Sequence, residues 1–513
     1  MVSREFSSDA IVVFDEAHNI DNICIESLTV ELPMTALQEA SQSLASLMNG
    51  VLRTKGRSAE RLEQEYRRLM EDIAAVRASN QGASTDLAPS PILNLTDSDI
   101  NAVIPEEIRK AEDFIAQLQA IVRYLKVKIR RTEGTIQEPH TRFLRDLGSD
   151  VGIGDLRWLR FSSDRLASLL RTLQVADWTT FRSLHKLTDL LSIGASFHQG
   201  FAVLIETLDD FTGELRPRLI FACLDASIAI RPVFEKFRNV VLTSGTLSPL
   251  DTYPNILSFR ASIASSFNMT LDRPCVCPLI VTRGFDQQTF SSKFNERSND
   301  GIIRNYGDLL VRFIAHVPDG VVAFFPSYLY MEEVLGRWAE WNILERLQVY
   351  KLLFIESQDS IEASMAIRNY RDACDSGRGA LLLSVARGRA AEGIDLDHHY
   401  GRAVVLFGVP FQYTESRVLR ARLEYLREAH QIAEDEFLIF DAMRQAAQCV
   451  GRVIRNKQDY GIMLLVDKRY QRIRLRSKLP QWITQFLLDP YLDLDPQSAI
   501  VIARKFLLLN ART

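Results

Sequence analysis

The rhythm of apolar and polar positions changes three times along this chain. Residues 10–14 end in the β-branched, apolar run Ile11-Val12-Val13-Phe14, which stops abruptly at Asp15-Glu16 and predicts a short buried strand. From Glu26 to Leu208 apolar residues recur at helical spacing, most clearly in Arg61–Met70 and in the amphipathic stretch Glu106–Arg131, which predicts an all-helical insert. Within it, the Ser/Asn/Pro/Asp-rich connector Ser79–Asp99 reads as an exposed loop. After Arg218 strand and turn return, with Val240–Thr243 running into a Gly245-Thr246 turn. From Gly320 five apolar runs, Val321–Phe325, Leu352–Ile355, Ala380–Val385, Ala403–Phe407 and Ile462–Val466, alternate with helical segments. Strands separated by helices predict βαβ units and a parallel sheet covered on both faces, followed by a helical tail to Thr513.

Length and composition narrow this picture. A chain of 513 residues is too long for one ordinary core and predicts two or three domains. The 47% hydrophobic and 25% charged content is that of a folded globular chain. A formal charge of -4 carries no global signature of nucleic-acid binding, so any such surface has to be a local patch. The longest apolar runs fall far short of a membrane span, and no membrane partner is expected. The six cysteines are scattered except for Cys275-Val276-Cys277, and no second pair or nearby His lies at ligand spacing. Buried structural thiols in a reducing compartment are therefore the favoured reading over half of a metal site.

Four segments carry candidate chemistry. Asp15-Glu16-Ala17-His18 follows a strand, at the sheet edge where α/β proteins bind ligands. An Asp there can hold Mg²⁺ largely through water, and the adjacent Glu can orient or deprotonate the attacking water. An acidic strand end that caps the next helix accounts for the bare tetrapeptide equally well. Thr243-Ser244-Gly245-Thr246-Leu247-Ser248-Pro249 has the small hydroxyl residues and the Gly of a hinge, and alone reads as an ordinary loop. Ala386-Arg387-Gly388-Arg389-Ala390-Ala391-Glu392-Gly393-Ile394-Asp395, after the Val385 strand, can approach phosphates of a nucleotide or of a nucleic-acid strand. Gln448-Cys449-Val450-Gly451-Arg452-Val453-Ile454-Arg455 is placed on a helix beginning near Asp441, where Arg452 and Arg455 share a face and can meet one anion as arginine fingers. Two solvated arginines are the usual meaning of an isolated pair at that spacing.

The order of these segments around a large helical insert resembles the iron-sulfur branch of superfamily 2 DNA helicases. Their wording is similar to the XPD family of DNA repair helicases, in Val13–Asn22, Ser244–Pro249, Arg304–Gly307, Val317–Gly320, Leu383–Gly388, His398–Arg402 and Ala446–Arg455. The resemblance covers nearly the whole chain. It implies an α/β fold with RecA-like parallel-sheet motor domains, the first incomplete and the second complete, and a large all-helical Arch insertion. The implied boundaries are 1–25 and 216–265 for the first motor domain, 26–215 for the Arch, and 266–513 for the second motor domain with its tail. By the same resemblance, Asp15, Glu16, Arg452 and Arg455 are catalytic, and Asp15 is the Mg²⁺ residue. Asp15, Glu16, His18, Gly393, Asp395, Gln448, Arg452 and Arg455 would face ATP, with Glu392 in the same motif as Gly393. Ser244, Thr246, Ser327, Tyr328 and Arg387 would serve the nucleic-acid track.

The family further implies ATP-dependent 5′ to 3′ DNA unwinding within TFIIH, in nucleotide excision repair and transcription initiation. DNA and other TFIIH subunits would be the partners and the nucleus the location. Two family features are missing from this sequence. It has no Gly-Lys pair of a phosphate-binding loop and no four-cysteine set for a [4Fe-4S] cluster, which places both expected segments upstream of Met1. The chain by itself is therefore expected to be inactive, and the alternative is a non-hydrolysing module that binds TFIIH partners. The stretch Lys468–Lys478 holds six positive charges in eleven residues. It is read first as a solvated face, with Tyr470 and Trp482 as candidate base-stacking rings.

Overall fold

The computed structural model describes residues 6–79, 111–132, 134–153, 156–175, 179–208, 215–269, 273–393 and 396–511. The connector 80–99 and residues 106–110 lie outside them, as does Asp395. The chain forms two compact units, one made of residues 24–225 with 416–421, the other of the remaining segments.

Strand β1 (Ile11–Phe14) leads through the acidic turn into helix Ile20–Leu28. In the unit of residues 24–225, helices Met34–Ser79, Ala111–Arg131 and Arg182–Ser196 share the core with an antiparallel sheet. Helix Ala111–Arg131 buries Phe114, Ile115, Leu118, Ile121, Val122, Leu125 and Ile129, the stripe that a 3.6-residue period requires. The expectation of an all-helical insert is corrected here. Strands β2 (Val30–Pro33), β3 (Thr135–Pro139), β4 (Phe201–Leu208) and β5 (Leu215–Cys223) form an antiparallel sheet in the order β2-β5-β4-β3. The run Phe201–Ile205 is buried on every side chain. It therefore lacks the alternation that marks a half-exposed strand, and a continuous apolar run does not separate strand from buried helix.

In the other unit, β6 (Asn239–Leu242) pairs in parallel with β1, Val13 opposite Val241, as a two-stranded sheet. The strand expected at residues 10–14 exists but is not buried: Ile11, Val13 and Val241 are 67%, 59% and 44% exposed. A two-stranded ribbon has too few neighbours to cover both of its faces.

The main sheet has six parallel strands in the order β7-β12-β11-β8-β10-β9. They are β7 (Val276–Val281), β8 (Gly320–Phe325), β9 (Leu352–Ile355), β10 (Ala380–Val385), β11 (Ala403–Phe407) and β12 (Gly461–Val466). All but edge strand β9 are buried at every position, which explains why the sequence runs are uniformly apolar. Alternate side chains still divide between two cores. Val321, Ala323 and Phe325 pack on one side with helix Asp300–Ile314, while Val322 and Phe324 join helix Glu434–Gly451 on the other. Strand β7 was not anticipated, because Pro278 and the flanking cysteines interrupt its apolar pattern. Its place at the sheet edge tolerates the missing Pro278 N–H.

Candidate active site

Parallel sheets present their functional loops beyond the carboxyl ends of the strands, and three of the four candidate segments meet there around one cavity. The chain leaves β1 through Glu16, whose φ of 50° and ψ of 40° are left-handed, a conformation a non-glycine residue rarely takes without a local reason. The turn is pinned on its inner side by the Ala17 N–H donating to the Thr243 carbonyl at 2.9 Å, just past β6. Asp15 and Glu16 thus stand exposed, with the Glu16 N–H donating to Asp15 Oδ1 at 3.0 Å.

His18 is the junction. Its Nδ1 lies 2.8 Å from Ser244 Oγ, and its Nε2 is in hydrogen-bond contact with the Gln448 side-chain amide. With Gln448 Nε2 as donor, His18 Nε2 accepts and Nδ1–H donates to Ser244 Oγ, whose hydroxyl is then donated to Glu16 Oε2 at 3.0 Å. Ser244 Oγ also accepts the Thr246 N–H at 3.2 Å. The His18 pKa is lowered, first by burial and then by the Arg444 and Arg452 charges, against the raising effect of Glu16. A neutral ring is what this chain of donors needs.

Next to this relay lies a cavity of about 250 Å³ lined by Glu16, His18, Gly245, Thr246, Met269, Gln448, Gly451, Arg452, Ile454, Arg455 and Trp482. Arg452 and Arg455 share it, but not by the route expected. The helix runs from Glu434 to Gly451, so Arg452 is its C-cap and Arg455 stands on the following loop. Arg452 Nε donates to the Ala391 carbonyl at 2.8 Å, joining the cavity to helix Arg389–Gly393. Trp482 packs over Gly451 and donates Nε1–H to the Gly245 carbonyl at 2.7 Å.

The other predicted residues are placed elsewhere. Gly393 ends the short helix Arg389–Gly393, and Asp395 is outside the described residues. Ser327 caps helix Tyr328–Glu340 by accepting the Tyr330 N–H, and Tyr328 donates its hydroxyl to Glu356 Oε1 at 3.2 Å. Arg387 pairs with Asp441 at 2.5 Å and donates to the Pro410 carbonyl. None of Ser327, Tyr328 and Arg387 lines the cavity. In the basic stretch, Arg469 is paired with Asp467, Arg474 with Asp435 and Lys478 with Glu436. Tyr470 is 1% exposed with its hydroxyl on the Gly408 carbonyl, so it is a core residue and offers no face to a base.

Sequence reasoning missed the buried charges that hold these loops. Arg444 donates to Asp21 Oδ1 at 2.6 Å, Asp441 Oδ1 at 2.7 Å and the His18 carbonyl at 2.9 Å. Arg422 adds a second guanidinium on Asp21 at 2.9 Å, and the Tyr253 hydroxyl a second donor on His18 O at 3.0 Å. Burial alone would push the Asp21 carboxyl up, but Arg444 and Arg422 outweigh it and hold it below its ordinary range. A usable signal was present: Asp441, Arg444, Gln445 and Gln448 recur at helical spacing among apolar residues. Glu356, 1% exposed at the end of β9, similarly gathers Ser384 Oγ, Tyr328 OH and the Arg389 N–H. A Cβ at Gly388 would fall 2.8 Å from its carboxylate, so any larger residue there would have to displace the Glu356 side chain.

All six cysteines are buried free thiols, and burial pushes Cys277 up to about 12. Among the described residues no group of three or more His, Cys, Asp or Glu side chains could hold a metal ion. A Mg²⁺ ion beside phosphates is usually held by only one or two carboxylates and water, which two adjacent exposed acids can supply. Asp15 and Glu16 fit it. No helix among the described residues is long and apolar enough to cross a membrane.

Glu16 shares the cavity with Arg452 and Arg455, while Asp15 does not line it, and the class of the chain is helicase-like by the family models that match it. Helicase C-terminal domain matches residues 310–486, Helical and beta-bridge domain 51–194, and DEAD_2 2–37. Among curated relatives, the general transcription and DNA repair factor IIH helicase subunit XPD of Schizosaccharomyces pombe is 47% identical over 507 residues, 99% of this chain and 65% of that protein. The Arabidopsis thaliana protein of the same name is 47% identical over 510 residues, 99% of this chain and 66% of the relative. The Saccharomyces cerevisiae XPD/RAD3 subunit is 44% identical over 509 residues, 99% of this chain and 64% of its own length. The chain thus spans just under two thirds of the length of these relatives. A solved structure titled XPD helicase shares the fold at TM-score 0.50 and 18% identity, over 94% of this chain and 68% of the other. A second solved structure, titled S. tokodaii Xpd4, does so at TM-score 0.50 and 14% identity, over 95% of this chain and 76% of that one. Over 99% of its length the chain is similar to XPD helicase subunits.

Proposed function

We propose that this chain is the part of an ATP-dependent 5′ to 3′ DNA helicase of the XPD type that senses and responds to the γ-phosphate, acting in the nucleus within TFIIH. The observation that supports it is the His18 relay, which joins Glu16, Ser244 and Gln448 beside a cavity whose other wall carries Arg452 and Arg455. Acids that suit Mg²⁺ on one side and guanidinium groups on the other match a Mg²⁺-triphosphate end. In such a site arginine neutralises charge developing on the transferred phosphoryl group. Bound ATP and Mg²⁺ would supply the phosphoryl chemistry; Glu16 would orient water, Arg452 and Arg455 would hold phosphate oxygens, and Ser244 would pass the state of the site to the loop after β6. On this reading residues 26–215 are the Arch-like insertion, 1–25 and 216–265 belong to the first motor domain, and 266–513 form the second.

The DNA track is assigned to Ser327, Tyr328 and Arg387 with their neighbours, as positioned around Glu356 and Asp441. The sequence contains no Gly-Lys phosphate loop, so turnover by this chain alone is expected to stay at background. Weak nucleotide binding is the expected residual property. Titration with a fluorescent ATP analogue should show Mg²⁺-dependent binding that Arg455→Ala and Arg452→Ala weaken, and single-stranded DNA anisotropy should fall steeply with salt. Nucleotide binding indifferent to Mg²⁺ and to both arginines would overturn the motor reading. Retained association with TFIIH subunits in that case would favour the non-hydrolysing module instead.

A further inference from the structure

We propose that Asp459, which lies outside the cavity, is the residue that positions Arg455; the proposal rests on the reading of the cavity as a phosphate site. Helix Glu434–Gly451 loosens as it ends, the N–H groups of Arg452, Val453 and Ile454 each reaching back only three residues at 3.3–3.4 Å. The next two amides leave the helix. Arg455 N–H donates to Asp459 Oδ2 at 2.9 Å and Asn456 N–H to the same oxygen at 2.7 Å. The Asp459 N–H returns to the Asn456 carbonyl at 3.1 Å, so the loop closes on its own carboxylate. A carboxylate that accepts two adjacent amides is an anion held by a small nest of N–H groups, and bonds to a charged acceptor are the stronger kind.

The other oxygen reaches a different loop. Asp459 Oδ1 accepts the His398 N–H at 3.0 Å, and His398 has a left-handed φ of 51°. Arg273 completes the frame by donating to the Lys457 and Asp459 carbonyls at 2.7 and 3.1 Å and to Asn510 Oδ1 at 2.9 Å. Asp459 is 1% exposed and does not line the cavity, whereas Arg455 does. Its carboxylate therefore cannot touch a ligand there, yet it fixes the main chain from which Arg455 extends. An arginine on a helix gets its direction from the helix; one on a loop needs another source, and Asp459 supplies it. A guanidinium acts on a phosphoryl group only when held in place, so the acid acts on the site through Arg455.

Amide hydrogen exchange on the full chain, combined with a double-mutant cycle, tests this. Asp459→Asn should speed exchange at Arg455 and Asn456 by on the order of tenfold or more, the loss expected for bonds to a charged acceptor. Exchange in helix Asp300–Ile314 should stay unchanged. Binding of the fluorescent ATP analogue should weaken to a similar degree in Asp459→Asn and Arg455→Ala, and the double variant should be no weaker than Arg455→Ala. Asp459→Glu keeps the charge, should recover part of the binding, and serves if the Asn variant does not fold. Fully additive losses would show a general structural role and overturn the proposal, as would unchanged exchange at Arg455. Should the wild-type chain bind no nucleotide, the phosphate-site reading fails, and the exchange at Arg455 alone decides whether Asp459 sets its loop.

Discussion

Replacing Arg444 by Met and, separately, Asp21 by Asn should destabilise the site by unequal amounts, and charge counting says which is worse. The cluster holds two acids, Asp21 and Asp441, against three guanidinium groups, Arg444, Arg422 and Arg387. Asp21, Asp441 and Arg444 are at most 2% exposed, so solvent does little to soften an imbalance. Breaking one partner out of a buried pair costs about 3–5 kcal/mol, most of it the penalty for the charge left behind. Arg444→Met leaves two acids facing two arginines, each acid still paired, and the His18 carbonyl keeps the Tyr253 hydroxyl; its cost should lie near the lower figure, about 3 kcal/mol. Asp21→Asn leaves Asp441 alone against three arginines and should lie near the upper figure, about 5 kcal/mol.

Either value is a large share of a net stability of about 5–15 kcal/mol. Two units need not unfold together, so the measurement is local: opening free energies from native-state amide exchange in Ile20–Leu28 and Glu434–Gly451, supported by urea titration. The pH dependence carries a sign of its own. Asp21 and Asp441 have folded pKa values below the ordinary 3.8, so their contribution is complete above that value and is lost as pH falls through the folded ones. A cost below about 1 kcal/mol for Arg444→Met, or a smaller cost for Asp21→Asn than for Arg444→Met, would refute the charge-balance reasoning.

Two further outcomes follow from the cavity wall. The folded pKa of His18 lies below its ordinary 6.5, so its contribution to stability is complete above pH 6.5 and declines as pH falls through the folded value; His18→Asn should flatten the stability profile in that window, and an unchanged slope would count against it. Trp482→Phe keeps a ring over Gly451 but removes the donor to the Gly245 carbonyl; exchange near Thr246 should report a loss of about 0.5–1.5 kcal/mol, and no change there would mean the indole N–H holds nothing.

How far the sequence speaks depends on whether a property is local. The strand Ala403–Phe407 is legible to the residue, because a buried parallel strand is apolar and stops where polar residues begin; Ala380–Val385 is so despite Ser384, and Leu352–Ile355 despite its partly exposed place at the sheet edge. The strands Phe201–Leu208 and Leu215–Cys223 are hidden by the same uniformity inside a helical neighbourhood. Among candidate site residues, Glu16, His18, Gln448, Arg452 and Arg455 converge on one cavity, from positions more than 400 residues apart in the chain. Their identities were visible as motif words, while their convergence is a property of the folded parallel sheets.

The residues that sequence reading passed over share one feature: each is an acid or arginine with at least one partner far along the chain. Asp21 meets Arg422 and Arg444 across about 400 positions, Glu356 meets Arg389 across 33, and Asp459 meets His398 across 61. In sequence such residues look like ordinary surface charges, since burial is what separates them and burial is not written at the position itself. The placement of Arg455 shows the consequence. Helical spacing from Arg452 suffices to make the two arginines look like neighbours on one face, and both do reach one cavity, but the helix has already ended at Gly451. Arg455 reaches the cavity by a different physical route, from a loop whose main chain a buried carboxylate holds after the helix ends. Where charges at helical spacing sit just beyond a Gly, the acid a few residues further on is therefore the place to look for what aims them.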